Sequence, residues 1–299
     1  MSTARCAKLL DTPILLIVFN RPDTTRQVVE ALRQVQPRQL YVAADGPREG
    51  VDGEEGLCAA SRSVATTVDW ECDVQTLFRG ENLGCGLGPS SGISWFFDNV
   101  EAGIILEDDC VPDSTFFRFC RELLEYYSAV PKIMQISGAN FLGGAKRGDA
   151  SYYFSRYPHS VGGWATWRRA WQSFDYEAIP EEYRRHIWDW QWWLAFEKNR
   201  GLAVVPNVNL VTNIGCGRAD ATHTTQMDHP GANLPRHPMV FPLTHPRRLR
   251  RMDRYTDYSP GSPEKRTYLG AALRFARIGY RYCRNRAASF VKRAFLERR

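Results

Sequence analysis

The sequence places three acidic side chains in a row, Glu107, Asp108 and Asp109, directly after the apolar run at 103–106. Three carboxylates this close repel one another and need positive charge nearby. A hard divalent cation would supply it and would leave coordination positions for phosphate oxygens. Because adjacent strand residues point to opposite faces, at most two of the three can face one ion. The alternative is a solvated acidic turn before a helix that begins near Asp113.

A second candidate for chemistry is Asp189, which lies in the Trp-rich segment at 186–201. The four tryptophans of this segment cannot share one face of a helix, so some must be core, and we assign Trp192 and Trp193 to it. An acid flanked by indoles is partly desolvated, which raises its pKa and makes it a better proton acceptor near neutral pH. The alternative is a salt bridge to Arg185, one helical turn earlier.

Segments typical of strands and helices alternate around these acids. A continuous apolar run at 13–19 predicts the first strand, and the segments at 39–47, 74–84 and 103–109 are read as three more. Helical spacing predicts a helix after the first strand, with Pro22 in its first turn, and another after a Gly-rich loop at 80–92. Apolar strands separated by helices indicate an α/β fold with a mostly parallel sheet and helices on both faces.

Polar side chains follow these strands at the points where the strands end. Besides the three acids, they are Asn20, Arg21, Asp45, Arg79 and Asn82. Ligands bind at the carboxyl ends of parallel strands, so we expect these residues to line one crevice. For Arg21 the alternative is an exposed loop charge. For Asp45 it is a turn residue, since Asp-Gly is common in turns.

The composition is that of a globular protein. A chain of 299 residues that is 43% hydrophobic can bury a substantial core. No apolar run reaches the roughly 18 residues of a membrane-spanning helix, so we expect a cytoplasmic protein. The eight cysteines form no Cys-x-x-Cys pair, which argues against a structural zinc site and a disulfide scaffold. We expect reduced, mostly buried thiols.

Positive charge is concentrated in residues 246–299. This tail contains 16 Lys and Arg against four Asp and Glu, a net charge of +12, so residues 1–245 carry −6 of the chain's total of +6. Its apolar residues recur at steps of four and three, which predicts a basic amphipathic helix. Such a helix can lie peripherally on an anionic membrane, dock on the acidic body or pair with another subunit. No nucleic-acid-reading module accompanies the charge, so we expect no nucleic-acid partner.

Five blocks stand in order between residues 13 and 225: FNRPD, VAADG, ILEDDCVPDSTFFRF, VGGWATWRRAWQSF and WDWQWW. With these blocks the chain resembles the nucleotide-diphospho-sugar transferases of the GT-A fold, in particular the N-acetylglucosaminyltransferase I family and bacterial family 2-like transferases. The resemblance implies a Rossmann-like GT-A domain. Its nucleotide-sugar-binding half would be 1–112 and its acceptor-binding and catalytic half 113–245, followed by the tail.

The resemblance also implies roles for the strand-end residues. Asp109 would hold Mn²⁺ or Mg²⁺ bridging the donor's diphosphate, with Asp108 nearer the ribose or sugar. Glu107 would support the metal site or touch the donor sugar. Arg21 would lie near the phosphate or base, and Asp45 would accept a hydrogen bond from the base. Where eukaryotic relatives carry a basic, His-containing helix this chain has GPSSGISWFF, so the identity of the base stays open.

On the acceptor side, the resemblance implies that Asp189 deprotonates the acceptor hydroxyl, although WDWQ has one acid where relatives have two. The polar loop at 213–225 resembles the loop that closes over the donor in relatives. Arg218 or His223 would then reach the diphosphate, and His223 is also a candidate metal ligand. An exposed loop histidine is the alternative for His223.

These expectations predict an inverting, metal-dependent glycosyltransferase that moves a sugar from a nucleoside-diphosphate sugar to a hydroxyl of a glycan or lipid-linked acceptor. Cell-surface polysaccharide assembly would suit such an enzyme. A nucleotidyltransferase of related fold and a non-catalytic nucleotide-sugar-binding protein are the alternatives. The Gly-rich run at 84–88 is not a phosphate-binding P-loop, because no Gly-Lys-Ser/Thr follows it. The sequence does not determine the sugar, the nucleotide or the acceptor.

Overall fold

The computed structural model describes residues 9–142, 146–158, 162–220 and 233–252. The strands within these ranges are β1 (Ile14–Val18), β2 (Gln39–Ala44), β3 (Asp73–Phe78), β4 (Ala102–Glu107), β5 (Cys110–Pro112), β6 (Ile133–Ser137), β7 (Tyr152–Ser155), β8 (Trp164–Trp167), β9 (Leu202–Pro206) and β10 (Val211–Asn213). The helices are α1 (Pro22–Arg33), α2 (Glu54–Thr66), α3 (Gly84–Asn99), α4 (Ser114–Tyr126), α5 (Arg168–Trp171), α6 (Glu181–Arg184) and α7 (Asp189–Asn199), with a 3₁₀ turn at Tyr176–Ala178. No helix among these residues is both long enough and apolar enough to cross a membrane.

Eight strands form one sheet in the order β3-β2-β1-β4-β8-β6-β9-β7. The first four strands of this order are parallel neighbours, and β6 pairs with β9 in parallel. Strand β8 lies between β4 and β6 and is antiparallel to both, and β7 is antiparallel to β9. The expected α/β class with a largely parallel central sheet is confirmed. Strands β5 and β10 form a separate antiparallel pair beside the end of β4.

The sheet is covered on both faces, as its apolar strands predict. Alternate residues of β1 belong to different core clusters, Leu16 to one and Leu15 to the other, because successive side chains of a strand point to opposite faces. Helices α1, α2 and α4 supply the first cluster, and α3, α5 and α7 supply the second. Trp192 is fully buried in the second cluster, whereas Trp193 stays partly exposed, so the core assignment holds for Trp192 alone.

The Gly-rich segment is helical from Gly84, so the expected loop at 80–92 is wrong over most of its length. The carboxylate of Asp45 accepts hydrogen bonds from the backbone N–H groups of Leu83 and Gly84, at 2.8 and 3.0 Å, and so supports the start of α3. Glycine at position 86 allows a close approach of another segment. A Cβ there would lie 1.7 Å from the carbonyl oxygen of Arg184.

The remaining local expectations concern the start of α4, the Trp-rich helix, the cysteines and the tail. The carboxylate of Asp113 accepts the N–H of Thr115 at 2.9 Å and begins α4. The helix expected over 186–201 is shorter, because α7 begins at Asp189. The six cysteines in the described part of the chain are all free, and four of them are buried. Of the tail, residues 246–252 are described, and the basic helix predicted further along lies outside the described residues.

Candidate functional site

A cavity of about 140 Å³ opens at the carboxyl ends of β1, β2, β3 and β4. Six residues expected at the strand ends line it, namely Arg21, Asp45, Arg79, Asn82, Glu107 and Asp108. The first two turns of α3 close one side through residues that include Cys85. The parallel strand order therefore brings together side chains that are up to 87 residues apart in sequence, such as Arg21 and Asp108.

Arg21 supplies the positive charge that the acidic triplet needs. Its Nη2 donates to Oδ1 of Asp108, and its Nη1 lies 3.0 Å from Oδ2 of Asp109. The other oxygen of Asp108 accepts the backbone N–H of Phe19 at 3.2 Å. The Arg21 side chain is only 16% exposed, so this ion pair is largely shielded from solvent. One positive charge from within the chain thus faces the two aspartates.

Asp109 does not line the cavity and is enclosed by neighbouring groups. Its Oδ1 accepts hydrogen bonds from Nδ2 of Asn213 at 3.2 Å and from the thiol of Cys110 at 3.4 Å. The backbone at Gly215 passes directly over the carboxylate. A Cβ on that residue would lie 2.0 Å from Oδ2 of Asp109 and 2.7 Å from Nη1 of Arg21. Only glycine allows the chain to lie this close.

These contacts do not fit a divalent cation held by the triplet. Mg²⁺ is usually held by one or two carboxylates together with waters and phosphate oxygens, so it needs a carboxylate oxygen that is open to it. Each oxygen of Asp108 and Asp109 already faces a hydrogen-bond donor. In the ranges that the structure describes, no three His, Cys, Asp or Glu side chains are arranged to hold a metal ion. The metal expected at Asp109 finds no support in this geometry, and His223 lies outside the described residues.

Glu107 ends β4 and faces the cavity. Burial raises its pKa well above the usual range, and the charges of Asp109 and Asp108 raise it further, while Arg21 lowers it. The same environment acts on Cys85. Burial, together with the charges of Glu107 and Asp45, raises the pKa of this thiol to about 12, so it is not a thiolate nucleophile near neutral pH.

Asp189 is the first residue of α7 and is not among the residues that line the cavity. Its charge contributes to the raised pKa values of Glu107 and Cys85, two residues that line the cavity. Its Oδ1 is buried and has no hydrogen-bond partner among the described residues. Burial raises the pKa of Asp189 to about 6, opposed by the backbone N–H groups of Asp189 and Trp190. Arg185 pairs with Glu181, so the expected alternative of an Arg185–Asp189 salt bridge is not what the structure shows.

Asp45 and Asn82 make contacts that build the cavity wall. Asp45 accepts a third backbone hydrogen bond, from Gly46 at 3.0 Å, in addition to its two at the start of α3. Burial raises the pKa of Asp45, and these three N–H donors lower it. Nδ2 of Asn82 donates to the carbonyl of Gly46 at 2.9 Å. Contacts of either residue with a nucleotide remain predictions.

Arg48 also lines the cavity, and sequence reasoning missed it. Its Nε and Nη2 donate to Glu54, whose side chain is 2% exposed, and its guanidinium lies 5.7 Å from the Phe19 ring centre. Asn20 donates to the same glutamate at 2.8 Å and does not itself line the cavity. The position of Arg48 just after the second strand, like that of Arg21 after the first, could have identified it.

Arg218 is not brought to the cavity. Its guanidinium pairs with Asp23 at 2.8 Å and with Asp220 at 2.7 Å, beside the first turn of α1. Both partners are carboxylates, which leaves Arg218 engaged in a surface network. Its expected contact with a diphosphate remains a prediction that this arrangement does not favour.

The fold and the site define an α/β domain with a charged crevice at the strand ends. No family model matches the chain, and no curated protein matches it. Among solved structures it is similar to UDP-glucose pyrophosphorylase complexed with UDP-glucose, at 10% identity and a TM-score of 0.43, covering 71% of this chain and 96% of that one. Apo UDP-glucose pyrophosphorylase is 10% identical with a TM-score of 0.38, covering 64% of this chain and 90% of that one. Mouse xyloside xylosyltransferase 1 in its apo form is 12% identical with a TM-score of 0.34, covering 64% of this chain and 82% of that one. At these values the matches do not bear on activity, and the N-acetylglucosaminyltransferase I resemblance stays a prediction.

Proposed function

We propose that the protein is a glycosyltransferase that moves a sugar from a nucleoside-diphosphate sugar to a hydroxyl acceptor with inversion at the anomeric carbon. The observation that carries the proposal is the carboxylate of Asp189, whose Oδ1 is buried without a hydrogen-bond partner among the described residues and whose charge acts on Glu107 and Cys85 of the strand-end cavity. A buried carboxylate oxygen without a hydrogen-bond partner is costly to folding, and such groups are concentrated at functional sites.

The donor would bind at the strand ends, where ligands of parallel α/β sheets bind. Arg48 and Arg79 present guanidinium groups to the cavity, and guanidinium groups match the geometry of phosphate oxygens. The cavity of about 140 Å³ is smaller than the roughly 300–1,000 Å³ of typical ligand pockets. The donor must therefore extend beyond it.

The acceptor hydroxyl would lose its proton to Asp189. With a pKa of about 6, this carboxylate is mostly ionised at neutral pH and basic enough to act as a proton acceptor. The acceptor oxygen attacks the anomeric carbon from the face opposite the diphosphate. The bond between that carbon and the diphosphate oxygen breaks, and the nucleoside diphosphate leaves with the electron pair. Nearby guanidinium groups stabilise the charge that develops on the leaving group.

The acceptor is expected to be a glycan or a lipid-linked sugar, and contact between the tail and a membrane is part of the same expectation. In relatives a divalent metal stabilises the leaving diphosphate, and the scheme above assigns no step to it. The nucleotidyltransferase alternative differs in its products. It would join a nucleoside triphosphate to a sugar phosphate and release pyrophosphate.

The test is a product assay with a panel of nucleoside-diphosphate sugars and glycan acceptors, in which released nucleoside diphosphate and glycosylated acceptor are measured. We expect Asp189→Asn to lower transfer by about 10²- to 10⁴-fold, typical for loss of a general base, while nucleoside diphosphate binding is retained. Asp98→Asn is the control, since Asp98 is an exposed acid at the end of α3. Transfer at the wild-type rate in Asp189→Asn would refute the base role. Pyrophosphate release from nucleoside triphosphates would favour the nucleotidyltransferase.

A further inference from the structure

We infer that Arg21 takes the place of a divalent cation at the acidic triplet, so that a nucleoside diphosphate binds at this site without metal. This inference rests on the proposed function, because it concerns how the donor's diphosphate is held. It departs from the metal-bridged diphosphate that the sequence resemblance implies.

The first support is the geometry of the ion pair. One guanidinium spans two neighbouring carboxylates, with Nη2 on Asp108 and Nη1 at 3.0 Å from Asp109. A cation that bound both aspartates would occupy the place of these two nitrogens. All three side chains are largely buried, so expelling Arg21 would leave its charge without a partner in a poorly solvated place.

The second support is the chain segment that covers Asp109. Oδ1 of Asn213 accepts the N–H groups of Gly215 and Cys216, at 2.9 and 3.2 Å, while Nδ2 of the same side chain donates to Asp109. The backbone N–H of Ile214 donates to the carbonyl of Asp109 at 2.8 Å. This segment is therefore fixed over the carboxylate by its own hydrogen bonds. Metal coordination at Oδ2 would require both Arg21 and this segment to move.

The third support is that separate guanidinium groups are placed to bind the ligand's charge. Glu54 holds Arg48 through Nε and Nη2, and Nη1 has no hydrogen-bond partner among the described residues. Arg79 makes one long contact, from Nη2 to the hydroxyl of Ser91 at 3.3 Å. Both line the cavity beside Asp108. Arg21 is thus engaged with Asp108 and Asp109, while Arg48 and Arg79 are available to phosphate oxygens.

The experiment is calorimetric titration of the full chain with UDP, GDP, CDP, dTDP and ADP, in EDTA and again in MnCl₂. We expect one nucleoside diphosphate to bind with the same Kd, within about threefold, under both conditions. Arg48→Gln and Arg79→Gln should each weaken binding by about tenfold or more, as expected for loss of a charged hydrogen bond. Arg33→Gln is the control, since Arg33 is an exposed arginine on α1 that pairs with Glu30 and Asp69.

The variant Arg21→Gln tests directly whether Arg21 occupies the place of a cation. Removing the guanidinium charge should create Mn²⁺ binding in a titration with MnCl₂ alone, whereas the wild type should show none. Because this variant can fail to fold, the comparison of EDTA with MnCl₂ in the wild type stands without it. Nucleotide binding that is lost in EDTA and restored by manganese overturns the inference and leaves the glycosyltransferase proposal intact. Binding to no nucleotide in either buffer overturns both.

Discussion

Replacing Asp189 by asparagine should stabilise the protein against unfolding relative to the wild type, and this difference in the free energy of unfolding should grow as the pH rises from about 4 to 7. Burial raises the pKa of this carboxyl from 3.8 to about 6. The shift of about two units corresponds to about 3 kcal/mol, at roughly 1.4 kcal/mol per unit. Asparagine has nearly the same shape and does not ionise, so it removes this electrostatic cost.

The sign follows from proton linkage. Between pH 3.8 and about 6 the native state binds more protons at Asp189 than the unfolded state does, so this group lowers stability as the pH rises through that range. Below it the carboxyl is protonated in both states and costs nothing through ionisation. Above it the full penalty of about 3 kcal/mol is present. The variant lacks this dependence, so its advantage over the wild type grows from pH 4 to pH 7 and then stays constant.

Urea unfolding followed by tryptophan fluorescence at pH 4, 5, 6, 7 and 8 measures this difference. Any hydrogen bond that asparagine gains or leaves unmade adds a constant at all pH values, so the change with pH isolates the ionisation. Asp98→Asn, at an exposed position, should show no such trend. A difference between Asp189→Asn and wild type that stays flat within about 0.5 kcal/mol from pH 4 to 7 would refute the assignment of Asp189 as a buried, raised-pKa acid.

Three further outcomes are expected. The transfer rate should fall below a pH of about 6, where Asp189 becomes protonated, and an acid limb near pH 4 would contradict its role as base. Gly86→Ala should destabilise the fold by about 1–3 kcal/mol in urea unfolding and reduce transfer, because its Cβ would lie 1.7 Å from the carbonyl oxygen of Arg184. Gly56→Ala is the control, since a Cβ at Gly56 meets open space, and equal effects of the two variants would argue against this packing. Glu54→Gln should weaken nucleoside diphosphate binding by about tenfold in calorimetry, since it loosens Arg48, whereas the exposed Glu55→Gln should not.

Much of the fold could be predicted because its determinants are local. A run such as Ile14–Val18 is apolar at every position and of strand length, and only a sheet covered on both faces buries such a run. Pro22 and Asp113 mark helix starts by chemistry that acts within one turn. Strand ends were therefore predictable, and with them the set of polar residues that meet in the cavity.

The side-chain partners of those residues depend on contacts between distant parts of the chain and could not be predicted from the sequence. A helix begins at Gly84 where glycines predict a loop, and Asp45, which follows β2, accepts hydrogen bonds from the N–H groups of Leu83 and Gly84 at its start. The antiparallel strand β8 enters the sheet between β4 and β6, an order that no local pattern encodes.

The acidic triplet shows the same division. By itself the sequence determined that an acidic triplet stands at the end of a buried strand and requires positive charge, although β4 ends at Glu107 and the two aspartates lie in the turn after it. Only the tertiary structure decided that Arg21 supplies it and that the backbone at Gly215, more than 100 residues later, closes over Asp109. The physical reason is that charge compensation needs proximity in space, and proximity between separate strand ends is set by sheet order rather than by spacing along the chain.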